Sequence, residues 1–240
     1  MTDHSSMKLG KRPARIDHRT LRLAKYLGAL PPPKPAVDWL SKVPSFQMFG
    51  NDTKGDCTIA AIGNLAIAWT FSIGRPAIPS VDELLAIYAI LSPDDQGCVM
   101  LDVLKYWRQN AIAGVKLGAF AQVNVQNQQE MQVALELFGG LYTGVGLPIA
   151  AQTQDIWDVS SGRKSIADSW GGHCVPFGSY AANWDCVTWG ALKAATWPWI
   201  QEYMQEAYVL ITPDWFTSSG KTPEGLDLPT LTSDLALVTA

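Results

Sequence analysis

The stretch "CTIAAIGNLAIAW", Cys57 to Trp69, constrains the fold most. Its apolar residues keep helical spacing and leave almost no polar face. A helix that is apolar all round is buried on all sides, so the rest of the chain has to be built around it. Gly74, Pro76 and Pro79 end it, which gives a helix from Cys57 to about Ile73. The run just before it, "GNDTKGDC", is polar and glycine-flanked and reads as a surface turn. Cys57 therefore sits where a polar loop becomes a buried helix.

More helices follow. "SVDELLAIYAIL" carries Ser80 and Glu83 three apart, a capping box, and predicts a helix over 80–91. "MLDVLKYWRQN" predicts a third over 100–110, and residues 130–137 a short fourth. The pattern then changes. "GGLYTGVGLP", "HCVPFGSY", "WDCVTWG" and "EAYVLIT" read as strands with small turns between them. Helices first and antiparallel strands second make an α+β chain of two lobes. The helical lobe spans about 50–125 and the strand lobe about 126–215. Residues 216–240 read as a loop plus a short last helix.

Composition adds a core and an arm. The chain has 240 residues, 48% of them hydrophobic and 17% charged, enough to bury a core without metals or cross-links. Residues 1–36 hold eight Lys or Arg against two Asp, while the remainder holds ten against twenty. Within this arm, 17–28 reads as a short amphipathic helix, and "ALPPPKPAVDW" as an extended polyproline segment. The arm either packs on its own acidic body or tethers the protein to an acidic protein surface or to nucleic acid. No apolar run of 18 residues offers a membrane span. No secretory signal precedes the arm, so a cytoplasmic location is expected, or a virion if the chain is phage-encoded. Four cysteines without a C-x-x-C pair argue against a disulfide framework and a structural zinc site.

The chemistry centres on Cys57. A thiolate is a nucleophile, and the start of a helix favours it through unpaired N–H groups and the helix dipole. A buried structural thiol fits the same position. His4 and His18 lie in the arm, so the body holds one histidine, His173, in "SWGGHCV". A cysteine and a distant histidine facing each other across a cleft follow the logic of thiol hydrolases. Asn51 carries an amide that suits an oxyanion, alongside the backbone N–H of Cys57. Turn formation by "GND" explains Asn51 as well.

These residues fall into a known pattern. "VDWLSKVPSFQMFGNDTKGDCT" resembles the mature N-terminal stretch of papain-like cysteine peptidases, with Val37-Asp38-Trp39, Lys42, Asn51 and Cys57 at the family's spacing. "GGHCV" resembles the family's histidine strand, "VTWG" its Asn-Ser-Trp-Gly strand, and "QGC" with "LDVLKYWRQNAIAG" its cleft wall and the helix behind it. "MQVALELFGGLYTGVGL" resembles its later helix-strand unit. The resemblance is collinear over about residues 36–212. "GDCTIAA" is also similar to bacteriocin-processing peptidases of the same clan, and the overall pattern resembles chains of actinobacteria and their phages.

The resemblance implies a papain-like two-lobed fold over 37–240 behind an arm of 1–36. It implies a peptidase acting on a peptide or protein substrate, with Cys57 as nucleophile, His173 as base and Asn51 as oxyanion donor. Gly55, Gln96, Gly97, Gly172 and Trp189 would line the cleft, with the 96–100 loop on one wall. No metal or organic cofactor is implied. There are departures. Asn51 replaces a glutamine, and Lys54 stands where the family has a disulfide cysteine. Val187 occupies the position of the asparagine that orients the histidine. Asp185, two residues earlier on the same strand face, is the candidate replacement, and Thr188 is expected to point away. Without Asp185 the site is a Cys–His dyad, or the fold is an inactive structural or binding module such as a virion protein. Asp56 is expected to help cap the helix and face solvent, and Cys98, Cys174 and Cys186 to be structural thiols. A further alternative has residues 1–36 lying in the cleft as a self-inhibiting segment.

Overall fold

The all-apolar segment forms helix α1 (Cys57–Ser72), and fourteen of its sixteen residues are buried, so no side of it meets water. Its one glycine shows how tightly it is wrapped. A Cβ on Gly63 would stand 2.6 Å from Phe49 Cε2 and 2.7 Å from Leu84 Cδ1, both in fully buried side chains. Alanine normally stabilises a helix interior over glycine by about 1 kcal/mol. Here overpacking by about 1–3 kcal/mol outweighs that gain. Gly63→Ala is therefore expected to lower the urea midpoint, and a raised midpoint would show that Phe49 or Leu84 has room to move.

A computed structural model of the chain describes residues 3–25 and 30–225. After β1 (Val37–Asp38) and α1 come α2 (Val81–Leu91), α3 (Met100–Gln109), β2 (Ala119–Gln122), α4 (Gln128–Phe138), β3 (Leu141–Leu147) and β4 (Ile156–Trp157). Then follow β5 (Gly171–Tyr180), β6 (Trp184–Thr188), β7 (Ala191–Ala195), α5 (Trp197–Tyr203) and β8 (Met204–Ile211). The strands run in the order β2-β8-β3-β5-β6-β7-β4, with β1 beside β5. Every pairing is antiparallel except β4 with β7.

Strand alternation divides the core in two. Tyr142, Cys174, Val187, Tyr208 and Leu210 pack with α1, α2 and α3. Their strand neighbours Leu141, Val175, Cys186, Val209 and Ile211 pack with α4 and α5. Successive strand side chains point to opposite faces, so one sheet carries both layers. Indole N–H groups brace the layers against backbone. Trp69 Nε1 donates to Phe138 O and Gly139 O at 3.2 and 3.1 Å, and Trp215 Nε1 donates to Leu137 O at 3.0 Å.

The α+β class and the four central helices agree with the sequence expectation, and Ser80 caps α2 by accepting from Glu83 N at 3.4 Å. Several elements differ. The helix expected over 17–28 is, as far as the described residues reach, a turn followed by one 3-10 turn at Leu23–Lys25. Its remainder at 26–28 lies outside the described residues, as does the stretch 226–240 of the C-terminal segment that reads as a loop plus a short last helix. The strands β1, β2, β4 and β7 and the helix α5 were not expected. Each is short or lacks alternation, and α5 carries Pro198 in its first turn, where proline is tolerated.

The arm packs along its own body. Asp17 bonds Lys105 Nζ at 2.9 Å, Arg15 bonds Asp102 at 2.6 Å, and Gln122 N donates to Leu21 O at 2.7 Å. Among the described residues no helix is long and apolar enough to cross a membrane.

Candidate active site

Cys57 is the first residue of α1, so the positive end of the helix faces its thiol. Asp56, the residue before it, offers no side-chain cap. The thiol touches β5, where Cys174 N donates to Cys57 Sγ at 3.4 Å. The residue before Cys174 is His173, and Cys57 and His173 line one cavity of about 10 Å³ together with Asn51, Asn64, Val187, Thr188 and Trp189.

The turn that follows β6 builds the histidine's surroundings. Trp189 and Gly190 have φ of 46° and 74°, and Thr188 pairs with Ala191 across them. Positive φ at both residues is the two-residue hairpin turn that matches strand twist. A tryptophan in this region is uncommon. Here its indole stacks on His173, with ring centroids 4.6 Å apart and planes 15° apart, and its Nε1 donates to Lys8 O at 3.2 Å.

At the same turn Thr188 Oγ1 lies 2.8 Å from His173 Nε2. The expectation that Thr188 points away is thus corrected. Val187 is buried against the α1 side and lines the cavity without a polar atom to offer. Asp185 does not reach the imidazole: its Oδ2 accepts from Ser179 Oγ at 2.6 Å, opposite it on β5. Asp185 stands on the right strand but is paired off one register step too early. His173 Nδ1 is buried with no hydrogen-bond partner among the described residues.

Asn51 is buried, and its Nδ2 donates to Lys54 O at 3.1 Å. The loop that carries it is clamped by Asn64 of α1, which the sequence analysis did not single out. Asn64 Oδ1 accepts from Gln47 N at 3.0 Å, and its Nδ2 donates to Gln47 O at 2.9 Å. An amide inside an otherwise apolar helix was the signal available. Asp56 is corrected too. It is fully buried rather than facing solvent, and its carboxylate oxygens make no well-formed hydrogen bond among the described residues, although the Asn51 amide lies near enough to favour its charge. Burial pushes its carboxyl up to about 7.

The arm crosses directly over the thiol. Cys98 N donates to Gly10 O at 2.8 Å and Arg12 N to Cys98 O at 2.9 Å on one wall, while Lys11 N donates to Gly172 O at 3.1 Å on the other. Beyond, His4 stacks on Trp189 with centroids 5.0 Å apart. The glycines expected to line the cleft are those that let the arm in. A Cβ on Gly97 would overlap Gly10 O, and one on Gly172 would overlap Lys11 O. Gly55 O would meet a Cβ on Gly10. Gln96 stays out of this path, its Nε2 donating to Asp94 O within its own loop at 3.0 Å.

Enclosure sets the electrostatics. Cys57 is 1% exposed and His173 0%. Burial pushes the Cys57 thiol up to about 12; the amides of Cys174 and Gly10 pull it down, and the Asp56 charge pushes it further up. Burial pushes His173 down to about 3. With the arm in place the pair is a neutral thiol beside a neutral imidazole. All four cysteines are free and buried. Among the described residues no three His, Cys, Asp or Glu side chains come together as a metal-binding group.

No family model matches the chain, and no curated protein matches it. Solved structures do. Xylellain, a cysteine protease from Xylella fastidiosa, superposes with a TM-score of 0.63 at 14% identity, over 88% of this chain and 98% of that one. Digestive procathepsin L 3 of Tenebrio molitor larval midgut gives 0.59 at 11%, over 86% and 76%. ProCathepsin B S9 from Trypanosoma congolense gives 0.58 at 10%, over 85% and 86%. None of the three supports the expected actinobacterial or phage kinship. Identities this low speak for the fold alone. Together with the sheet order and the position of α1 against β5, they show that the chain has the papain-like fold of cysteine proteases.

Proposed function

We propose that the chain is a thiol-dependent peptidase held closed by its own arm. What supports this most is the shared cavity of Cys57 and His173, with one imidazole nitrogen engaged by Thr188 and the other without a hydrogen-bond partner among the described residues. With a proton on Nε2 donated to Thr188 Oγ1, Nδ1 is the free base. When a peptide replaces the arm, Nδ1 takes the thiol proton and Sγ attacks the carbonyl carbon. The oxyanion is met by the Cys57 N–H at the helix start and by the Asn51 amide of the cavity wall, through the N–H not given to Lys54 O. The imidazolium then returns its proton to the leaving amine, leaving a thioester. Water, deprotonated by Nδ1, releases the acid and restores the thiol.

The arm itself is not set up for attack. Gly10 presents its amide to the sulfur, and its carbonyl oxygen is held by Cys98 N on the opposite wall. The arm fills the cleft with the wrong atoms in front of the nucleophile.

The test is alkylation and hydrolysis in the chain lacking residues 1–34. An epoxide probe is expected to label Cys57 alone near neutral pH, His173→Ala to abolish the labelling, and casein to be cut by the parent but not by Cys57→Ala. Labelling of Cys57 no faster than of a free thiol, with casein left intact, would remove the peptidase reading.

Thr188 has a prediction of its own. As the positioning partner of Nε2, its loss leaves the base present but unoriented. Thr188→Val is expected to lower kcat by about 10²-fold, the lower end of what general-base catalysis contributes. KM should stay within about twofold, and Thr188→Ser should restore most of the rate. A rise in KM with kcat unchanged would instead place Thr188 among substrate contacts.

A further inference from the structure

Lys11 enters the body beside the thiol and is buried there, its side chain 1% exposed. Its ammonium lies 2.8 Å from Gln205 Oε1 and 3.4 Å from Glu206 Oε1. Both belong to the body; a third acceptor, Arg12 O at 3.4 Å, belongs to the arm itself. Tyr208 OH donates to Glu206 Oε2 at 2.9 Å, and Oε1, without a hydrogen bond among the described residues, is the oxygen turned to the cation. Gln205 Nε2 donates to Asp168 Oδ2 at 2.7 Å, which turns its carbonyl oxygen toward the ammonium. The walls fit the stem. A Cβ on Gly144 would come within 2.7 Å of both Lys11 Cδ and Met100 Sδ, so glycine is what leaves room for a methylene chain beside Met100. Gly172 clears the adjoining backbone in the same way.

The pocket thus ends in two acceptors turned to the ammonium, Gln205 Oε1 at its exposed rim and the buried Glu206 Oε1. An ammonium or a guanidinium carries donors and no acceptor. A carboxylate there would face Glu206, and an apolar side chain would leave the Glu206 charge buried and uncompensated. We propose that this pocket is a substrate subsite for lysine, or for the similarly equipped arginine, and that Lys11 occupies it as a stand-in. The preferred peptide carries its basic residue next to the residue at the sulfur, on the side away from Trp189, as Lys11 adjoins Gly10. This rests on the peptidase reading for its catalytic consequence, but the pocket's selectivity is measured by binding alone.

The experiment uses the full chain with Lys11→Glu, which sets a carboxylate against Glu206 and expels the arm from the pocket. Fluorescein-labelled alanine hexapeptides carry Lys, Arg, Leu, Glu or a further Ala at one position. Binding is read by anisotropy with Cys57→Ala added, and cleavage with Cys57 intact. At one peptide position Lys is expected to bind at least tenfold more tightly than Leu, with Glu weakest. Adding Glu206→Gln should bring Lys and Leu within about threefold. Retention of the fluorescent Ala peptide by Glu206→Gln, together with an unchanged circular dichroism spectrum, shows that this variant still folds. Cleavage without any basic preference overturns the subsite and leaves the peptidase reading standing. Basic preference in binding without cleavage upholds the subsite and removes the peptidase reading. A preference that survives both Glu206→Gln and Gln205→Leu overturns the pocket as its source.

Discussion

Deletion of residues 1–34 is expected to speed alkylation of Cys57 by iodoacetamide by at least about 100-fold at pH 7. Two physical effects act together. The first is access: the sulfur is 1% exposed beneath Gly10, and the arm is bonded to both walls at Cys98 and Gly172. The second is ionisation. A thiol pushed up to about 12 by burial is about one part in 10⁵ thiolate at pH 7. Removing the arm lets water reach Sγ and reduces the burial effect, while the N-terminal end of α1 keeps favouring the anion. The thiol should then fall to about 8.5 or below, and His173 should climb back from about 3 toward its ordinary 6.5. The pH profile of alkylation distinguishes the two effects. Access alone raises the rate at every pH with the same inflection, whereas ionisation moves the inflection down by several pH units. An unchanged rate and profile would show that the arm does not guard the thiol.

Replacement of Asp56 by asparagine is expected to stabilise the folded chain above pH 7, by at most about 4 kcal/mol. Asp56 is fully buried and its oxygens lack a well-formed hydrogen bond among the described residues; burial raises its carboxyl from 3.8 to about 7, against the downward pull of the nearby Asn51 amide and its own backbone N–H, with the Asp95 and Asp52 charges adding to the rise. At about 1.36 kcal/mol per pKa unit, that gap sets the ceiling. The direction follows from proton counting. Between pH 3.8 and about 7 the folded state keeps a proton that the unfolded state has released, so stability falls as pH rises through this window. Below it both states are protonated, and the parent and Asp56→Asn should be equally stable. Above it the parent carries the full burden of a buried charge and the variant does not. Urea unfolding at pH 3.5, 5.5 and 8 measures the difference. Equal stabilities at all three values would mean that the carboxylate finds a partner when it ionises. Because the Asp56 charge also pushes the Cys57 thiol up, the same variant should lower the alkylation inflection in the arm-deleted chain.

What could be read from the sequence, and what could not, divides by the range of the information. The burial of α1 follows from thirteen consecutive residues with no polar face. The main strands β3, β5, β6 and β8 follow from runs of apolar and β-branched residues between turn signals. The strands β1, β2, β4 and β7 escaped because two to five residues are too few to carry a clear periodicity of their own, and pairing makes them strands. At the site, Cys57, His173 and Asn51 stood out by residue type and spacing, and the fold brings all three to one cavity. Thr188 is expected to point away because strand alternation turns it from Val187. Alternation turns His173 from Cys174 in the same way, so threonine and histidine share one face of the sheet and their side chains meet there. Asp185 drew attention by charge, yet Ser179 lies opposite it and takes its carboxylate.

The sequence by itself determined a helix that must be wrapped and a thiol at its head, because periodicity, chirality and turn chemistry act between residues a few positions apart. Only the tertiary structure decided that the basic arm lies in the cleft, that Lys11 meets Glu206, and that thiol and imidazole rest uncharged. Those outcomes depend on contacts between segments far apart in the chain and on the exclusion of water between them. No local pattern encodes either.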